Sequence, residues 1–105
     1  MEKLKIMPEY ECFSFWLGKN GLLENVDPSS LGISAPLASD IDAWENEYEA
    51  TYVPDDPARS GFPSPDVEEI FNQRGLALAA RVKRELGALW TVVYRDTLTG
   101  QESVV

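Results

Sequence analysis

The order of patterns along this chain predicts an α+β fold of two layers, a small, mainly antiparallel sheet with two helices packed on one face, in a single domain spanning residues 1–105. Three observations carry that expectation. Alternating apolar stretches stand near both ends of the chain. Two stretches between them repeat apolar residues every three or four positions, each opened by a serine with a proline close behind. Strands, then helices, then strands, with no alternation of the two, place both helices on the same side. A length of 105 residues suits one domain, and 44% hydrophobic content with three Trp, four Tyr and four Phe is enough for a core.

Met1–Met7 predicts an edge strand limited by Pro8. Glu9–Leu17 predicts a strand with Tyr10, Cys12, Ser14 and Trp16 on one face and Phe13, Phe15 and Leu17 on the other. Two mostly apolar faces make it a central strand covered on both sides. Gly18-Lys19-Asn20-Gly21 is a turn, Leu22–Val26 a short returning strand, and Asp27-Pro28-Ser29-Ser30 a turn able to open a single helical turn.

Ser34 caps the first helix, with Pro36 tolerated in its first turn. Leu37, Ile41, Trp44, Tyr48 and Tyr52 form its apolar stripe. The connection from Val53 to Pro65 holds Pro54, Pro57, Pro63 and Pro65, so it reads as ordered, with Phe62 plugged against the core rather than exposed. Ser64-Pro65 opens the second helix. Asp66, Glu68 and Glu69 lie near its positive end, and Arg81, Lys83 and Arg84 near its negative end, as the macrodipole favours. Val67, Ile70, Phe71, Leu78, Val82 and Leu86 form its stripe, Gly75 allows close packing against Trp44, and Gly87 stops it. Leu89–Arg95 is a strand, Asp96–Gly100 a hairpin loop and Gln101–Val105 a short return.

The charge map is the main functional clue. Residues 20–58 contain nine carboxylates (Glu24, Asp27, Asp40, Asp42, Glu45, Glu47, Glu49, Asp55 and Asp56) and neither Lys nor Arg. Elsewhere nine acids meet nine bases, so the whole net charge of −9 resides in that segment. On the first helix Asp42, Glu45 and Glu49 share one flank of the apolar stripe, while Asp40 and Glu47 share the other. No cation stands four residues away to relieve them, and like charges at that spacing cost roughly 0.2–0.5 kcal/mol each in an isolated helix. Two readings stay open: a solvated face on an acidic protein, or a docking surface for a cationic partner.

The composition excludes more chemistry than it suggests. An acidic balance argues against nucleic-acid binding, which needs Lys and Arg against phosphates. With no His there is no imidazole base, no Ser-His-Asp triad and no His metal ligand. Cys12 is the one cysteine, so no internal disulfide forms. It reads as a small core residue of an apolar strand rather than a nucleophile. One Cys without His excludes an ordinary zinc site, and no glycine-rich phosphate loop is present. Asp40 and Asp42 point apart on a helix, and Asp55-Asp56 lacks the spacing of a calcium loop. Asp56 before Pro57 reads as turn chemistry, its carboxylate bonding backbone N–H groups downstream. No catalytic residue, cofactor or metal is therefore expected. No apolar run approaches a membrane span and no signal peptide is visible, so a cytoplasmic protein is expected.

The chain carries Asn25-Val26-Asp27-Pro28, Leu31 to Ser34, Ala43-Trp44 with Tyr48, Asp56-Pro57 with Ser60-Gly61-Phe62, and Glu85-Leu86-Gly87. Over roughly residues 20–95 this resembles the small acidic immunity proteins of bacterial polymorphic toxin systems, including contact-dependent growth inhibition. The resemblance implies a non-catalytic protein that binds and neutralises a cognate toxin C-terminal domain in the cytoplasm of the producing cell. The shared residues read as structural and do not give the interface. Many such toxins are nucleases with basic grooves, which an acidic surface suits. The expected toxin contacts are Asp40, Asp42, Glu45, Glu47, Glu49, Asp55 and Asp56, acting as acceptors for Arg and Lys. Two alternatives are a regulatory or adaptor domain for another basic protein, and a small carboxylate-based enzyme.

Overall fold

In a computed structural model, which describes residues 2–105, the chain forms β1 (Glu2–Ile6), β2 (Phe15–Lys19), β3 (Leu22–Val26), a 3-10 turn (Pro28–Leu31), α1 (Ala35–Glu49), a second 3-10 turn (Pro57–Arg59), α2 (Pro65–Leu86), β4 (Trp90–Arg95) and β5 (Glu102–Val104). The strands make one sheet in the order β3-β2-β1-β4-β5, antiparallel except for the β1–β4 pair. The α+β, mainly antiparallel architecture is the expected one.

The expected edge strand at the N-terminus is instead the middle strand; Met1 itself lies outside the described residues. Leu4 and Ile6 are fully buried, while Lys3 and Lys5 alternate with them onto the opposite face. A central strand of a sheet covered on one side only reads as half polar, which in sequence looks like an edge. That open face also carries Trp16, whose indole N–H donates to the Met7 carbonyl at 2.9 Å. The expectation that the strand holding Trp16 is covered on both sides is thereby corrected.

The strand expected over Glu9–Leu17 begins only at Phe15. Residues 10–14 form a loop because Glu11 adopts φ 62°, which breaks any ladder, and because side chains hold the loop's amides. Cys12 is consequently exposed rather than a core residue. After β2 the chain reverses through Asn20 (φ 52°) and Gly21 (φ 80°). Positive φ at both central residues is what a tight type I′ hairpin needs, and it sets the Lys19–Leu22 closing pair.

Both helices start as their caps direct. The Ser34 hydroxyl accepts from the Leu37 N–H at 3.4 Å and that of Ser64 from the Val67 N–H at 3.3 Å, with Pro36 and Pro65 in the first turns. From α1, Leu37, Ile41 and Trp44 enter the core and meet Leu4, Ile6, Phe15, Val92 and Tyr94 of the sheet. Burying a side chain of this size contributes about 1.5–3 kcal/mol each. The Trp44 ring stacks on Phe71 at 4.7 Å, and its N–H donates to the Phe71 carbonyl at 3.1 Å. Tyr52 lies beyond the end of α1, its backbone N–H bonded to the Glu49 carbonyl.

On α2 the inward line differs from the expected stripe. Val67 and Ile70 are 43% and 58% exposed, whereas Phe71, Asn72, Gly75, Ala79 and Val82 are buried. The line runs through small residues because the helix lies so close to its neighbours. A Cβ on Gly75 would sit 2.6 Å from Trp44 Cζ2 and 2.5 Å from the Tyr94 hydroxyl. Asn72 is buried yet fully bonded: its Oδ1 accepts from the Tyr94 hydroxyl (2.6 Å) and the Thr97 N–H (3.0 Å), and its amide donates to the Thr97 hydroxyl and the Glu68 carbonyl. Phe62 packs as the expected plug, 4.8 Å from Phe71.

Candidate functional site

The two flanks of α1 meet different surroundings. Asp40 and Glu47 face α2. Arg74 grips Glu47 through both guanidinium nitrogens at 2.7 and 2.6 Å, and Arg81 reaches Asp40 at 2.7 Å. The cations absent from the helix itself are thus supplied by its neighbour. Arg74 holds the Glu47 carboxyl below its usual range. Both side chains are about half exposed, 50% and 48%, so the pair contributes roughly 0.2–1 kcal/mol.

Asp42, Glu45 and Glu49 face the loop at residues 10–14, and among the described residues no cation pairs with them. Glu45 accepts from the Ser14 N–H at 2.6 Å and the Ser14 hydroxyl at 2.5 Å, and Glu49 accepts from the Glu11 N–H at 2.6 Å. Asn25 closes the same loop from β3: its Oδ1 accepts from the Phe13 N–H at 3.0 Å and its amide donates to the Phe13 carbonyl at 2.7 Å. At the other end of the loop Tyr10 stacks between Tyr48 and Tyr52, 4.6 Å from each, and shares a 2.6 Å hydrogen bond with the Thr51 hydroxyl. These contacts explain why the loop leaves the sheet. Its amides find carboxylate and amide oxygens that suit them as well as a strand would.

Burial raises the Glu45 carboxyl above its ordinary range; the two Ser14 bonds oppose this and the charges of Asp42 and Asp27 add to it. A raised acid in a groove is one mark of a catalytic acid. Here, though, the oxygen is occupied by two bonds from Ser14, so its evident work is to fasten the loop. Burial, followed by the charges of Glu9, Glu45 and Glu49, also pushes the Cys12 thiol up, which suppresses the thiolate a nucleophile requires. Among the described residues, no group of three or more His, Cys, Asp or Glu is arranged to hold a metal ion. None of the described helices is long and apolar enough to cross a membrane.

The remaining expected contacts, Asp55 and Asp56, are exposed on the connection between the helices. The turn chemistry expected of Asp56 is not formed: its carboxylate makes no capping bond, and only its backbone carbonyl accepts, from the Arg59 N–H at 2.9 Å. The structure therefore gathers Asp42, Glu45 and Glu49 on one uncompensated flank, holds Asp40 and Glu47 in ion pairs, and leaves Asp55 and Asp56 exposed in a separate stretch. Phe13 is exposed beside the Asp42 flank, although its alternation with Phe15 and Leu17 predicts a strand. Pro8 two residues before Tyr10 was the only local sign of a break.

The residues quoted for their resemblance to a known family prove structural. Asp27 caps the first 3-10 turn through the Ser29 N–H at 2.9 Å, and the Ser60 hydroxyl accepts from the Val53 N–H at 2.8 Å. Glu85 accepts from the Ser34 N–H at 2.6 Å and the Ser34 hydroxyl at 2.8 Å, tying the end of α2 to the start of α1. Among curated proteins, none matches the chain. A family model described as Serratia CdiI immunity protein-like matches residues 2–97, nearly the whole chain, and the chain belongs to that immunity protein family.

Proposed function

We propose that this protein binds and neutralises the C-terminal toxin domain of its cognate effector in the cytoplasm of the producing cell, by association alone, and that the toxin is a nuclease. Membership of the immunity family implies the toxin partner. The observation that carries the finer reading is the uncompensated flank of α1, where three carboxylates stand together without a Lys or Arg. Such a surface opposes the field of a groove built to hold a polyanion, and it speeds encounter with it.

Asp40, Asp42, Glu45, Glu47, Glu49, Asp55 and Asp56 make up the proposed contact surface, and the surroundings rank them. Asp42, Asp55 and Asp56 offer carboxylates to a partner's Arg and Lys directly. Glu45 and Glu49 contribute charge while holding the loop. Asp40 and Glu47 engage a partner only by exchanging Arg81 and Arg74 for its cations. The test is protection of cells expressing the toxin domain. The unmodified chain restores growth and co-purifies with the toxin. A triple variant Asp42→Lys, Asp55→Lys, Asp56→Lys, which leaves the loop-holding glutamates in place, protects poorly. Full protection by that variant would remove this surface from the account.

A further inference from the structure

Phe13 is 42% exposed, yet its main chain is held at both polar atoms by Asn25, and Glu45 fixes the residue that follows. An aromatic ring whose backbone is already immobile loses little further freedom on binding. Two depressions of the surface share this residue in their lining. One depression of about 270 Å³ is lined by Phe13, Asp42 and Glu45 together with Glu11 and Glu49. The other, about 360 Å³, is lined by Phe13, Asp42 and Glu45 together with Asp27. No Lys or Arg lines either. Phe13 is thus the large apolar side chain that two anionic hollows share.

Two other depressions lack this combination. The groove between the helices is lined by Arg74 and Arg81 as well as Asp40, so its field is compensated. The hollow at the β2–β3 turn is lined by Lys3 and Lys19 beside Leu22 and Leu23, and would repel a basic partner.

We propose that Phe13 is the apolar anchor of the toxin-facing surface, and that the two hollows beside it receive arginine side chains from one segment of the toxin. This rests on the toxin-binding reading above and specifies where binding is centred. Arginine fits better than lysine, because a guanidinium lies flat on an aromatic face while its fork meets a carboxylate. Asp42 offers that carboxylate: among the described residues its side chain is engaged by the Asn46 amide alone, at 3.4 Å. Charge alone would bring the toxin close, whereas a desolvated aromatic centre holds it.

The test is binding of the cognate toxin domain to the full chain and its variants. Phe13→Ala raises Kd by about 30-fold or more, chiefly through faster dissociation, whereas Phe13→Trp stays within about threefold of the unmodified chain. A second measurement needs no variant. Cys12, the only cysteine, is exposed beside Phe13. Its alkylation by a maleimide, read by mass on the peptide that contains it, slows about tenfold or more when toxin saturates the protein. A Phe13→Ala variant that binds within about threefold of the unmodified chain, or a Cys12 that labels at the same rate in the complex, overturns the inference while leaving the immunity reading intact. Failure of the unmodified chain to bind toxin at all would overturn both.

Discussion

The two flanks of α1 carry the same residue types at similar spacing and end in opposite states. Facing α2, Asp40 and Glu47 are matched by Arg81 and Arg74, and their charge is cancelled locally. Facing the loop, Glu45 and Glu49 meet backbone N–H groups and a hydroxyl, and Asp42 meets the Asn46 amide; these groups carry no opposing charge, so the field persists into solvent. A carboxylate on a helix is therefore not one kind of object. The neighbour across the groove decides whether its charge is cancelled or persists.

The comparison breaks most severely at Gly75, which sets how closely α2 approaches α1 and so aligns Arg74 and Arg81 with their acids. Gly75→Ala forces a methyl into Trp44 and Tyr94. We expect a loss of about 3 kcal/mol in denaturant unfolding, at the upper end of overpacking costs. A loss below about 0.5 kcal/mol would show that the helix shifts freely and that the ion-paired flank is not fixed by packing.

Glu45→Ala acts next, on the loop-facing side. It leaves the N–H and hydroxyl of buried Ser14 without their acceptor, which costs about 2 kcal/mol. It also frees the loop, so the amide of Ser14 exchanges with solvent much faster while amides of α2 do not. Uniform change across both would mean the loop is not held locally by this carboxylate.

Breaking the other flank should do much less. Arg74→Met removes a half-exposed pair and costs under about 1 kcal/mol, measured by the same unfolding curves.

Glu45 and Glu47, one on each flank, also titrate with opposite sign. Burial raises Glu45, so the folded protein binds that proton more readily than the unfolded chain, and the Glu45 contribution to stability falls as pH rises through the carboxyl range. Arg74 lowers Glu47, so its contribution is present above the ordinary carboxyl pKa and lost as pH falls through the lowered one. The stability of the unmodified protein relative to Glu45→Gln should therefore decline with increasing pH. Relative to Glu47→Gln it should increase. Parallel profiles for the two variants would contradict the assignment of their environments.

How much of this was legible in the sequence follows from how local each determinant is. Both helix starts were readable, because Ser34 with Pro36 and Ser64 with Pro65 act within one turn. The division of α1 into two acidic flanks was readable from helical geometry. Their different fates were not, because Arg74 and Arg81 lie on another helix and are not distinguishable in sequence from ordinary surface bases. The loop at residues 10–14 was read as strand because its amides are satisfied by Asn25, Glu45 and Glu49, far along the chain. The inward line of α2 was misplaced at Val67 and Ile70 because close packing favours Gly75 and Ala79, which a search for large apolar residues passes over. The exposure of Phe13 follows from the loop and was hidden with it.

The central claim of the proposal is that the loop-facing flank of α1 dominates the encounter with the toxin, while the ion-paired flank contributes little. It is tested most directly by the association rate of the cognate toxin with Asp42→Lys and with Asp40→Lys, measured from low salt to about 0.5 M, where screening is strong. The account predicts that Asp42→Lys slows association about tenfold or more at low salt, that the deficit shrinks as salt rises, and that Asp40→Lys changes the rate about threefold or less. Equal rates for the two variants, or a larger effect at Asp40, would contradict it.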